Sequence, residues 1–127
     1  MIPNNKKQPV FLDLTRIRQP VNALLSIAHR ITGIVMVLMV PVVAYLFDRS
    51  LAGEESFESV AQMLHAPAAR AAIVALAWVL CHHLLAGIRY LLIDVDIGVD
   101  IHRAQASARL VFVGGVVAAL LVAVALL

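Results

Sequence analysis

The sequence predicts an all-α membrane protein of three transmembrane helices, and three observations carry that prediction. Of its 127 residues, 62% are hydrophobic and only 14% are Asp, Glu, Lys or Arg, where a soluble domain carries roughly 25% charged residues. A chain this short cannot hide so much apolar surface in a core of its own, and disorder needs the opposite composition. Uncharged stretches run from Ile31 to Phe47, from Ala71 to Ile88 and from Leu110 to Leu127, and a helix crosses the hydrocarbon core with about 20 residues. These stretches do not alternate apolar and polar residues, so helices and not a closed barrel must span the bilayer. The net charge of +2 is too small to suggest nucleic acid as a partner. The single cysteine, Cys81, can form neither an internal disulfide nor a multi-cysteine metal site.

Residues 1–20 form an N-terminal segment. Within it, Val10 to Ile17 is apolar with Asp13 as a cap, and Pro20 separates it from the first span, so it reads as a short interfacial piece. The first span is placed at 21–47. It is too long and starts too late for a secretory signal, and no small-residue cleavage pattern ends it. A loop at 48–67 comes next, with Phe57, Val60, Ala61 and Leu64 at i, i+3, i+4 and i+7. That spacing predicts a short amphipathic helix on the membrane surface. Ser59 and Gln62 have capping-box spacing, which would start the helix later than the apolar pattern does. The second span is placed at 68–93, a second loop at 94–105 and the third span at 106–127. Gly115, Ala119 and Ala123 make a small-residue ladder on the third span, which favours close helix contact.

Lys and Arg in short loops set orientation. The tail carries Lys6, Lys7, Arg16 and Arg18, and the second loop with its helix ends carries Arg89, Arg103 and Arg109. The first loop has Arg49 and the adjoining Arg70, beside Glu54, Glu55 and Glu58. The tail and second loop are therefore expected in the cytoplasm, and the first loop and C-terminus outside.

An ionisable residue at the centre of a span costs roughly +2.5 to +3.5 kcal/mol on insertion scales, so each one needs a reason. Ser26, His29 and Arg30 stand at i, i+3 and i+4 and share one face early in the first span. Arg30 lies roughly 15 Å into a helix that begins at Pro20. Snorkelling to the interface is one reading. A hydroxyl, an imidazole and a guanidinium on one face also suit an anionic or carbonyl-bearing ligand. The second cluster is His82, His83, Gly87, Arg89, Tyr90 and Asp94. Adjacent histidines point about 100° apart on a helix, so they cannot both face one ligand. His83 and Gly87 are i and i+4, a spacing that leaves room for a flat group beside the imidazole, such as a porphyrin whose iron it ligates. An interhelical hydrogen bond is the other reading of a histidine in a span. Arg89 and Asp94 read as solvated helix-end charges, Cys81 and Trp78 as packing, and His65 and His102 as loop residues. No nucleophile elbow, phosphate loop or carboxylate pair appears in the sequence.

The run Ser26-Ile-Ala-His29-Arg30-Ile-Thr32-Gly33, preceded by Gln8-Pro9-Val and by Asp-Leu-Thr-Arg-Ile-Arg, resembles the N-terminal signature of the cytochrome b membrane-anchor subunits of succinate dehydrogenase. The run His83-Leu-Leu-Ala-Gly87-Ile-Arg89-Tyr90-Leu-Leu-Ile-Asp94 is similar to that family's second signature. The three-span plan matches as well, so the resemblance covers essentially the whole chain. Gln8 stands where a basic residue is usual, Tyr90 where His or Phe is usual, and Ile93 where an aromatic or Met is common.

The resemblance implies a place in a multi-subunit helical bundle of a bacterial cytoplasmic membrane. A flavoprotein subunit would oxidise succinate, and an iron–sulfur subunit would pass electrons to a quinone, ubiquinone by expectation. This chain and a second membrane-anchor subunit would hold that soluble pair in the bilayer and bind one heme b between them. The flavin and the iron–sulfur clusters belong to the partners. Carried over by position, His83 matches the axial heme ligand, Ser26 and Arg30 match quinone-pocket residues, and His29 and Arg30 match the vicinity of the heme propionates. His82 is the neighbour facing away, and Asp94 is placed near the quinone region. A quinol:fumarate reductase anchor, a heme-free structural anchor and a small transporter subunit are the other readings.

Overall fold

The computed structural model describes residues 18–126. The expected interfacial segment at Val10 to Ile17, with Lys6, Lys7, Gln8, Asp13 and Arg16, lies outside the described residues. Among the described residues there are four helices and no strand: α1 (Val21–Leu51), α2 (Glu54–His65), α3 (Pro67–Asp94) and α4 (Ile101–Ala125). Three of them, α1, α3 and α4, are long and apolar enough to cross a membrane.

Pro20, extended at φ −65° and ψ 151°, precedes α1, whose 31 residues carry Pro41 inside the helix. At 1.5 Å per residue such a helix is about 46 Å long, against a hydrocarbon core of about 30 Å. The excess length resolves the depth of Arg30. The uncharged stretch from Ile31 to Phe47 can fill the hydrocarbon while Ser26, His29 and Arg30 stay near one boundary. The Arg30 side chain is exposed.

The turn into α2 is made by Gly53 at φ 148° and ψ 171°, a region essentially confined to glycine. Helix α2 starts at once with Glu54 and Glu55 in its first turn, where acidic side chains complement the helix dipole. Ser59 and Gln62 therefore lie inside the helix, and no side chain caps it. Its residues Phe57, Val60, Ala61 and Leu64 line an apolar cleft of about 640 Å³ shared with the C-terminal half of α1 and the N-terminal half of α3. Helix α3 begins directly after it, with Pro67 in its first turn, where a missing N–H costs nothing. Helix α4 is capped by Asp100, whose Oδ1 accepts from the N–H groups of His102 and Arg103 at 3.0 and 3.3 Å. That cap starts the helix at Ile101, well ahead of the uncharged stretch.

Helices α3 and α4 pack most closely. Small residues make this possible: Ala86 and Ala108 are fully buried. A Cβ added to Gly115 would stand 3.1 Å from the Trp78 ring and 3.3 Å from His82 Cβ. Leu25, Ala86, Ala108 and Val111 form the buried core. It sits where α1 begins, α3 ends and α4 begins. At the opposite end Arg70 Nη1 donates to Leu126 O at 3.0 Å, which ties the start of α3 to the end of α4. The middle of α1 is left uncovered, with Ile34 62% and Val37 70% exposed. A face this apolar belongs against lipid or another subunit.

Candidate functional site

Two glycines bring α1 and α3 together at the core end. A Cβ on Gly33 would stand 3.0 Å from His83 Cε1, and a Cβ on Gly87 would stand 3.8 Å from His29 Nε2. Each histidine thus lies over the glycine of the opposite helix. The two imidazoles stack, with centroids 4.0 Å apart and planes 14° apart. The space beside Gly87 is therefore occupied by the chain's own His29, not left open as the i, i+4 spacing with His83 suggested.

His83 is held at one nitrogen. Its Nδ1 lies 3.1 Å from the backbone oxygen of His29 and 3.1 Å from Thr32 Oγ1. Thr32 is 2% exposed, and its Oγ1 also lies 2.9 Å from the oxygens of both Ala28 and His29. Beyond the ring an apolar cleft of about 600 Å³ opens sideways, lined by His83, Arg30, Gly33 and the next two turns of α1. Arg30 and His83 therefore share this cleft. Ser26 is half-buried one turn earlier and is not among the cleft-lining residues described. Asp94 ends α3 and is exposed.

His82 faces the other way, as its 100° offset requires. It is fully buried, stacked 5.0 Å from Trp78 and tilted 5.0 Å from Phe112. Neither of its ring nitrogens has a hydrogen-bond partner among the described residues.

Arg89 corrects the reading of a solvated helix-end charge: it is only 6% exposed. Its Nε donates to Ser107 Oγ at 2.9 Å, and its Nη2 donates to Asn22 Oδ1 at 3.1 Å and to Ala104 O at 2.9 Å. One side chain of α3 thus binds the first turn of α1 and the second turn of α4. All its acceptors are neutral. The Tyr90 ring lies 5.5 Å from the guanidinium carbon and 5.3 Å from the His29 ring. Sequence reasoning gave Thr32 and Arg89 no such roles and did not single out Asn22. The signal for Thr32 was its place beside Gly33 and three residues after His29. Nothing local marks Asn22, because its partner lies 67 residues away.

The arrangement offers an imidazole with one nitrogen engaged by acceptors, next to an open apolar cleft with a guanidinium at its rim. A family model for the succinate dehydrogenase/fumarate reductase transmembrane subunit matches residues 4–122. The succinate dehydrogenase cytochrome b556 subunit of Coxiella burnetii is 39% identical over 121 residues, covering 94% of this chain and 97% of that protein. The subunit of the same name from Paracoccus denitrificans is 28% identical over 118 residues, covering 93% of this chain and 91% of that protein. These bacterial relatives fit a cytoplasmic-membrane location for the three apolar spans. With the whole of its described bundle inside the matched region or within a few residues of it, the chain belongs to the succinate dehydrogenase/fumarate reductase transmembrane subunit family.

Proposed function

We propose that this membrane anchor ligates one side of a heme b through His83 and contributes Ser26 and Arg30 to the quinone site of a succinate:quinone oxidoreductase. The observation that carries the heme assignment is the environment of His83. Its Nδ1 faces acceptors at 3.1 Å, which leaves Nε2 for a metal. Metal-ligating histidines almost always donate the other ring N–H in this way. The stack with His29 argues for a second ligand from elsewhere. Lone pairs lie in the ring plane, and two rings 14° from parallel direct theirs side by side and not at one iron. A second imidazole for the heme would therefore come from the second anchor subunit. A heme b held there would store one electron at a time.

Arg30, exposed at the rim of the cleft, supplies a cation for propionates or for the reduced, anionic form of a quinone. Ser26 supplies a hydroxyl on the same face of α1. Ubiquinone is the quinone proposed. The tail and the loop between α3 and α4 face the cytoplasm in this reading, where the iron–sulfur and flavoprotein subunits dock. The cytochrome b556 names of the relatives support the heme and the succinate-oxidising direction over the fumarate-reducing one. Membership of the family leaves no place for the small transporter subunit that the sequence alone left open.

The deciding experiment is a visible spectrum of the purified complex, oxidised and reduced, for the wild type and for His83→Leu. The wild type should show a low-spin b-type spectrum and the variant should lose or alter it. An unaltered spectrum in the variant moves the ligand to another residue.

A further inference from the structure

We propose that Thr32 and Gly33 are positioning residues that set the tautomer and ring plane of His83; this rests on His83 being the heme ligand. A hydroxyl has one proton to donate. Thr32 lies 2.9 Å from each of two carbonyl oxygens, those of Ala28 and His29, so its proton goes to them. Its lone pairs are then what faces His83 Nδ1, 3.1 Å away. The His29 carbonyl at 3.1 Å from the same nitrogen can only accept. Both neighbours of Nδ1 are acceptors, so Nδ1 carries the proton and Nε2 the free lone pair.

Back-bonding to its own helix is common for Thr and would satisfy the donor without His83. It does not explain why the oxygen also meets an imidazole 51 residues away while 2% exposed. Gly33 completes the cradle. The place a Cβ would take is 3.0 Å from Cε1, 3.7 Å from Nδ1 and 4.0 Å from Nε2 of His83. With a side chain at residue 33 the ring would have to give by a few tenths of an ångström.

Acceptors on the N–H of a ligating imidazole raise its basicity and stabilise the oxidised metal. Thr32→Val keeps the shape and removes the acceptor. The assembled complex should therefore keep its heme, show an upward shift of the heme midpoint potential, and show altered g values in the low-spin ferric EPR signal. Thr32→Ser should restore both. Gly33→Ala keeps the hydroxyl and displaces the ring, so it should change the g values most, and it stands as the test if Thr32→Val does not assemble. Wild-type potential and EPR in Thr32→Val, or wild-type EPR in Gly33→Ala, overturn the proposal. Failure of the underlying assignment looks different: His83→Leu would then retain the wild-type heme spectrum. Loss of that spectrum in His83→Leu, with Thr32→Val unchanged, refutes only the positioning role.

Discussion

His29 and His83 cross reciprocally, each imidazole lying against the glycine one turn after the other on its helix. The pairs His29–Gly33 and His83–Gly87 are both i and i+4, so two antiparallel helices can exchange a ring for a glycine twice. The two contacts are unequal, 3.0 Å at Gly33 and 3.8 Å at Gly87. A 3.8 Å separation is ordinary van der Waals contact, whereas 3.0 Å forces a neighbour to move. Gly87→Ala should leave the thermal midpoint of the complex nearly unchanged. Gly33→Ala should lower it relative to Gly87→Ala, because the His83 ring must give by a few tenths of an ångström. Equal midpoints for the two variants would contradict this geometry.

The adjacent histidines should separate in the same assay. His82 is fully buried with no partner for either ring nitrogen among the described residues, between Trp78 and Phe112. Burying a polar group without a hydrogen bond costs about 1–3 kcal/mol in proteins. His82→Leu removes that cost at similar volume, so the complex should be as stable as the wild type or more so, with an intact heme spectrum. His83→Leu should lose the spectrum. A heme-free His82→Leu complex would reverse the assignment of the two positions.

Arg89 is a cation buried among neutral acceptors from two other helices. Replacing it by Met removes a desolvated charge but takes the donor from Asn22 Oδ1 and one of the two hydrogen bonds of Ser107 Oγ, which still donates to Ala104 O at 3.1 Å. Hydrogen bonds to charged groups contribute about 1.5–3 kcal/mol each, and three of them outweigh the gain from removing the charge. Arg89→Met should lower the thermal midpoint of the assembled complex. Arg89→Lys should fall almost as far, because a point-like ammonium cannot replace a fork of donors aimed at separated acceptors. A wild-type midpoint in Arg89→Lys would mean that the charge matters and the fork does not.

These cases separate what the sequence could reveal from what it could not. The spans were legible because lipid demands long uncharged runs, and the amphipathic α2 because its apolar spacing is periodic. That His82 and His83 face different ways was legible from their offset of about 100° on one helix. The Arg89 clamp was not, since its meaning depends on Asn22 and Ser107, which only the antiparallel return of α3 and the placement of α4 bring near. Likewise Gly87 read as open space from one helix alone. The opposing helix fills that space with His29, and local spacing carries no information about what crosses it.

The quinone assignment has its own test, because Ser26 and Arg30 stand differently toward the cleft. Arg30 lines it beside His83, while Ser26 lies one turn nearer the helix start. If Ser26 donates to a quinone oxygen, Ser26→Ala loses one hydrogen bond, about 1.4 kcal/mol, which corresponds to about a tenfold lower kcat/KM for quinone. The heme spectrum should stay nearly intact, since Ser26 does not touch His83. Succinate oxidation with an artificial dye that accepts electrons from the soluble subunits should also be unchanged. Arg30→Gln should lower quinone reduction and disturb the heme spectrum together, because the guanidinium shares its cleft with the imidazole. Steady-state quinone kinetics of Ser26→Ala indistinguishable from the wild type would remove Ser26 from the site.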